Sequence, residues 1–317
     1  MAGHSIQRVF NLIINHENNI NNKSYNVPYY GASLKSVICN MLFVYKNRNK
    51  LGVNHVTGDI HYVILALIGC KTILTIHDLV LLHNIKNPVK RKILFILWYY
   101  LPIRLANKVT CISENTKMEI IKYVKRKDII VIDNPIDNNY SIVHKKFNEN
   151  SVRILQVGTG SNKNLERVIE SLFNVKCHFR IIGKLSEDHL KLLKHHKIYY
   201  SNECNISDEQ MINEYHEADI ISFPSLFEGF GMPIIEGQSI GRIVLTSNLS
   251  PMKDIGNDAA IFVDPYSVQS IRNGFIEIIN LDTCSRIKLI EKGIQNVKKY
   301  QRHNIVNKYV ELYKSLI

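Results

Sequence analysis

The feature that most constrains this chain is the regular alternation that begins at residue 151. "VRILQVG" (152–158) reads as a buried strand, "NLERVIESL" (164–172) as a helix and "CHFRIIG" (177–183) as a strand again. The order continues with a helix at 186–195, a short strand "KIYYS" (197–201), a helix at 207–216 and the strand "ADIISFP" (218–224). A short helix from Pro233 and the strands "RIVLTS" (242–247) and "AAIFVD" (259–264) complete it. Short β-rich runs that alternate with helices predict a parallel, doubly wound α/β sheet.

The first half repeats the theme less cleanly. Its strand candidates are "GVNHVTG" (52–58), "KTILTIH" (71–77), "NKVTCIS" (107–113) and "DIIVID" (128–133), with helices expected at 5–15, 32–47, 88–105 and 114–125. Residues 134–151 are polar, Asn-rich and without periodicity, and read as a linker with its flanks near 137–150. A chain of 317 residues exceeds what one core usually supports. Two Rossmann-like domains are therefore expected, at 1–138 and 139–300. The last stretch, 301–317, is amphipathic and is expected to form a helix that crosses back onto the first domain.

No apolar run reaches the length of a membrane span, and the amino terminus lacks the pattern of a secretion signal, so the expectation is a cytoplasmic protein. The six cysteines are scattered singly, without C-x-x-C pairs, and are read as reduced thiols. The net charge of +12 is unevenly spread: residues 1–150 hold 20 Lys+Arg and 9 Asp+Glu, or +11, and the remainder holds 20 and 19, or +1. A basic first half is compatible with an anionic membrane surface, an acidic substrate or nucleic acid. Nucleic acid is disfavoured, because the cations are not interleaved with aromatic stacking positions of any known module. The stretch "KRKILFILWYYLPIRLANK" (90–108) has two readings. It is either a helix packed on the sheet or an interfacial segment with Lys90–Lys92 at anionic headgroups and Phe95, Trp98 and Tyr99 at the acyl boundary.

Ligands of open α/β sheets bind beyond the carboxyl ends of the strands, so chemistry is sought in the loops there. "SFPSLFEGFGMPIIEGQSIG" (222–241) places Glu228 and Glu236 on either side of Gly229, Gly231 and Pro233. Pro233 suits the first helical position, and the amides of Phe230, Gly231 and Met232 then form an anion site at a helix amino terminus. Glu236, on the first turn, is placed to accept two sugar hydroxyls. For an isolated pair of glutamates at this spacing, helix capping competes with this reading.

A second loop, "VGTGSNKNLERV" (157–168), has Gly158 and Gly160 for a tight turn, Asn162 as a helix cap and Lys163 as a point charge. It is neither a Walker A loop nor a complete G-x-G-x-x-G. Beside the first loop, it makes a phosphate cradle. The third, "LTIHDLVLL" (74–82), presents His77 and Asp78 at a strand end. A lone histidine is more often structural, but at this position a functional role is favoured.

"SLFEGFGMPIIEG", preceded by "ADIISFPS" and followed by "GRIVLTSN", resembles the E-x7-E segment of the family 4 (group 1) retaining glycosyltransferases, which have the GT-B fold. "VGTGSNKNLERVIESL" is similar to that family's phosphate loop, "AAIFVDP" to its late strand, and "TIHD", "ISENTK" and "VIDNPID" to first-domain and hinge segments. The resemblance implies two Rossmann-like domains facing a cleft and a nucleotide-sugar donor on the second. Glu236 would hold the ribose, Lys163 the diphosphate, and the amides of Phe230, Gly231 and Met232 the phosphate and hexose hydroxyls. Glu228 would lie beside the transferred sugar and His77 would contact its hydroxyls, so Glu228, His77 and Lys163 are the catalytic candidates. Gly158, Thr159, Gly160, Asn162, Gly183 and Gly229 would line the donor pocket, with Asn205 and Ile206 at the nucleobase edge.

Two positions depart from the family's pattern. Thr159 stands where many members carry an arginine, which leaves Lys163 alone or with Lys184 or Arg167. The opening "MAGHSIQRVF" looks like the first loop and helix without their strand, so either the true start lies upstream or the sheet is one strand short. Gly3, His4 and Ser5 would lie near the acceptor, with Asp78.

No D-x-D triad occurs, so no catalytic metal and no cofactor are expected. The implied activity is transfer of a hexose to a glycan or lipid-linked saccharide in bacterial-type surface polysaccharide synthesis, with peripheral contact to an anionic membrane. A non-catalytic GT-B binding subunit and another GT-B enzyme, such as a sugar-nucleotide epimerase, are the alternatives.

Overall fold

The computed structural model describes residues 9–13, 22–31, 33–83, 85 and 87–317. Gly3, His4 and Ser5 lie outside the described residues. The chain forms two compact units, one of Met1–Pro135 with Arg302–Ile317 and one of Ile136–Gln301. The chain therefore passes between units at 135/136 and at 301/302.

The first unit holds a four-stranded parallel sheet in the order β1 (Val53–Val56), β2 (Lys71–Ile76), β3 (Lys108–Cys111), β4 (Ile129–Val131). All four fall within the expected runs, and β2 is almost wholly buried, as a strand covered on both faces must be. The segment 88–105 is one helical run in which a π-turn, Phe95–Tyr100, joins Pro88–Leu94 to Leu101–Leu105. Pro102 has no N–H and crowds the preceding turn, and the wider π-turn relieves that crowding.

This run packs inward, which overturns the interfacial reading of its aromatic residues. Trp98 and Tyr99 are buried, Trp98 packs on Tyr62 with ring centroids 4.4 Å apart, and its indole N–H donates to Asp59 O. Lys90, Arg91 and Lys92 are exposed, as are Val89, Ile93, Leu97 and Leu105, while Phe95 is half-buried.

The final helix, Arg302–Lys314, adds Ile305, Val306, Tyr309 and Leu312 to a core cluster with Val9, Phe10, Ile73 and Ile132. A polar chain crosses that cluster. His55 bonds Tyr313 Oη at 2.9 Å and Thr75 Oγ1 at 2.7 Å, and Thr75 bonds Thr110. The terminal helix thus returns to the first unit through both apolar packing and a buried hydrogen-bonded chain.

The second unit is a six-stranded parallel sheet in the order β10-β9-β8-β5-β6-β7. In chain order these are β5 (Val152–Val157), β6 (Cys177–Ile182), β7 (Tyr200–Glu203), β8 (Ile220–Phe223), β9 (Ile243–Ser247) and β10 (Ile261–Val263). The strand expected at 197–201 begins later, because Lys197 adopts φ 52° and turns the chain out of the preceding helix. Helices Met252–Gly256, Val268–Asn280 and Thr283–Val297 complete the covering layers. Residues 136–150 do not form a loose linker but pack on this unit. Tyr140 is buried against Tyr215, Val143 N–H donates to Ile240 O, and Lys145 pairs with the buried Asp219. Cys111 and Cys177 are buried, and all six cysteines are unpaired.

Candidate functional site

The second unit's two glycine-bearing loops leave neighbouring strands, since β5 pairs directly with β8. After β5, Gly158 takes φ +89°, and a Cβ there would stand 3.2 Å from the Lys163 side chain. The turn Ser161–Lys163 follows, with Lys163 N–H donating to Gly160 O at 2.8 Å. Gly160 itself has φ −64°, and Gly229 is not among the positive-φ residues, so the left-handed turns fall at Gly158 and Gly231.

Asn162 does not cap the helix as expected. Its amide donates to Glu228 Oε1 at 3.0 Å and to Phe227 O at 3.3 Å, so it faces the other loop. The residue before the helix is Asn164, in the left-handed conformation at φ 61°. Asn tolerates that region better than other residues with a Cβ. Its buried amide donates to Pro224 O and Pro265 O at 3.0 and 2.7 Å, which fastens the β5 loop to the loops after β8 and β10. From below, Gln156 Nε2 donates to Lys163 O at 3.0 Å.

With the loop held from both sides, the Lys163 ammonium reaches Glu228 Oε1 at 2.6 Å and lies 4.8 Å from the Phe223 ring centroid. The two side chains are largely shielded, at 23% and 15% relative exposure. Of the two expected helpers of Lys163, Arg167 donates to Asn164 Oδ1, whereas Lys184 meets the β5 loop through its backbone carbonyl, which accepts from the Thr159 hydroxyl.

The helix Met232–Ile240 begins at Gly231, φ +127°, with Pro233 in its first turn and no side-chain cap. The amides of Phe230, Gly231 and Met232 thus stand at an uncapped helix amino terminus, where an anion is favoured. The Phe230 ring is buried edge-on against Tyr300. Glu236 sits one turn deeper than expected, since no acidic residue lies in the first turn. Its carboxylate is buried and Oε2 accepts from the Tyr215 hydroxyl at 2.7 Å. Tyr215 is held through its helix neighbour Glu214, which Arg153 on β5 and Arg180 on β6 grip at 2.8 and 2.9 Å.

At the end of β6, Gly183 adopts φ +146°, and a Cβ there would approach Thr159 Cγ2 to 2.8 Å, so Gly183 abuts the β5 loop. Asn205 and Ile206 follow β7, the edge strand, and β6 separates it from β5. In the first unit His77 is buried, and Nε2 bonds the Thr57 carbonyl at 2.8 Å. A carbonyl only accepts, so Nε2 carries the proton; burial holds the ring's pKa down, and neutral His77 keeps Nδ1 as an acceptor. Asp78 Oδ1 accepts from Val80 N–H at 3.0 Å, at the start of the short helix Val80–His83.

Sequence reasoning missed Tyr215, Asn164 and Gln156. Only Gln156 left a signal, as a polar residue that interrupts the apolar run of 154–157 on β5. Tyr215 is an ordinary helical residue until the fold brings Glu236 to it.

Two parallel Rossmann-like sheets, one with a lysine loop and an acid-glycine-acid loop on adjacent strands, define the GT-B class. The chain belongs to the glycosyl transferases group 1 family, whose profile matches residues 139–299. That of Glycosyltransferase Family 4 matches residues 47–140. The chain is 29% identical over 111 residues to O-antigen chain mannosyltransferase B of Escherichia coli, which covers 35% of this chain and 29% of that protein, so the match spans under a third of that relative. It is 24% identical over 268 residues to the O-antigen biosynthesis glycosyltransferase WclY of Escherichia coli, covering 78% of this chain and 73% of the other. Anabaena HepE, crystallised with UDP and glucose, superposes with a TM-score of 0.76 at 14% identity, over 93% of this chain and 86% of that one.

Proposed function

We propose that the protein is a retaining glycosyltransferase that moves a hexose from a nucleotide sugar to a glycan or lipid-linked saccharide in bacterial-type surface polysaccharide synthesis. The observation that carries this reading is the meeting of Lys163 and Glu228 from loops on adjacent strands, beside the uncapped helix at Gly231. The O-antigen relatives and the UDP-bound neighbour support its direction.

In this mechanism the donor diphosphate lies over the amides of Phe230–Met232 and draws the Lys163 ammonium from Glu228. As the bond between the sugar C1 and the phosphate oxygen breaks, Lys163 and the helix dipole stabilise the charge left on the diphosphate. The acceptor hydroxyl attacks C1 on the same face, and its proton passes to the departing phosphate oxygen. Glu228, released from Lys163, orients the sugar hydroxyls. Glu236 receives the ribose. No metal is assigned a step, and the protein is placed at the cytoplasmic face of a membrane, where lipid-linked acceptors reside.

Release of nucleoside diphosphate on acceptor addition tests the reaction. Donor-dependent release supports the transferase; donor binding without release supports the non-catalytic subunit.

A further inference from the structure

Between Glu17 and Asp59 the chain carries no acidic residue, while Lys23, Lys35, Lys46, Arg48 and Lys50 are all cationic. Helix Leu34–Asn47 lies in this stretch and is two-faced. Ser36 and Asn40 are buried, and Val37, Met41 and Val44 pack on the first unit's core. The opposite face carries Leu34, Ile38, Leu42 and Tyr45 at helical spacing, all exposed, Leu34 at 77% and Leu42 at 55%. Segment 25–30 runs alongside, tied by Asn40, whose side chain bonds both N–H and C=O of Tyr29, and this leaves Tyr30 exposed too. The Arg48 guanidinium lies over the face of the Tyr45 ring, 3.4 Å from its centroid.

We infer that this face docks on an anionic lipid bilayer, with Leu34, Ile38 and Leu42 in the acyl boundary and the five cations at the headgroups. An apolar stripe rimmed by cations is the chemistry of an interfacial helix. A second copy of the chain fits it worse, because a two-fold contact would set the same five cations against one another. Among the described residues no helix is long and apolar enough to cross a membrane, so this contact is peripheral. The inference extends the proposed lipid-linked acceptor and replaces the aromatic residues of 90–108 as the docking element.

The test is flotation of the full chain with phosphatidylglycerol–phosphatidylcholine vesicles and with phosphatidylcholine vesicles, without donor sugar. Wild type is expected to float with the anionic vesicles only. Ile38→Gln with Leu42→Gln, both on exposed positions, should cut the partition about tenfold or more at unchanged Tm, from the apolar area no longer inserted. Lys90→Gln with Arg91→Gln and Lys92→Gln should reduce it less than the apolar pair does. Equal flotation of the apolar double variant and wild type overturns the inference. So does no flotation of wild type, or a wild-type dimer that the double variant dissociates. Donor binding, read separately, reports on the transferase proposal, so the two can fail independently.

Discussion

The Tyr215 hydroxyl donates to Glu236 Oε2 at 2.7 Å, with both side chains buried. A buried carboxylate fixed by a neutral donor stays aimed in one direction, and on the proposed reading that is the direction in which a ribose would be held. On that reading Tyr215 would act through Glu236 as a positioning residue.

Tyr215→Phe is expected to raise the donor KM several-fold with little change in kcat, because the lost bond, worth about 1 kcal/mol, orients ground-state binding rather than the reacting bond. Glu236→Ala should raise the donor KM further. Steady-state kinetics at saturating acceptor separate the two parameters.

Lys163→Ala is expected to lower kcat by about 10²-fold, the scale of removing one preorganised charge stabiliser. Glu228→Gln keeps the shape but releases the ammonium of Lys163, so the donor KM should fall or hold while kcat drops. Activity of the wild type should be the same in EDTA as in added magnesium. Matched assays of these variants check all three outcomes.

Stability should fall on acidification. Burial, with nearby His77, lowers the His55 pKa to about 3, and burial lowers that of His61 to about 4. Both lie below the unfolded value, so between about pH 6.5 and 4 the unfolded chain binds more protons than the folded one. Folding is therefore undiminished above about pH 6.5 and weakens below it, by up to about 1.4 kcal/mol per pH unit for each group. Thermal melts from pH 7 to pH 4 should show Tm falling, with His55→Gln flattening the slope.

Gly237→Ala should destabilise the second unit by about 1–3 kcal/mol, as overpacking does. A Cβ at Gly237 would lie 2.7 Å from Ile221 Cγ1 on β8, where helix Met232–Ile240 rests on the sheet. Chemical denaturation of the variant and wild type measures the difference.

The second unit was the more legible half because its strands are apolar runs closed by glycine turns, and β5, β6, β8, β9 and β10 all begin or end within a few residues of the expected bounds. The adjacency of the Lys163 and Glu228 loops followed from that alternation. Asn162 and Asn164 show where local reasoning ends: both are asparagines beside a helix start, and only the neighbouring loops decide that one binds Glu228 and the other takes the left-handed turn. The aromatic run at 95–99 fits a packed helix and an interfacial one equally well from sequence. Burial of Trp98 against Tyr62 decides between them. Conversely, helix Leu34–Asn47 was read as a helix without sign of which apolar residues face outward, because its two faces are both apolar.

The central claim is that the second unit binds a nucleotide sugar through Lys163, the Gly231 helix start and Glu236. Its most direct test is thermal shift of wild type and Glu236→Ala against UDP-, GDP-, dTDP- and ADP-sugars, since a ligand stabilises the fold according to its affinity. The account predicts a saturable rise in wild-type Tm with sugars of one nucleotide and a much smaller rise in Glu236→Ala. No rise with any of the four, or equal rises in both proteins, would contradict it.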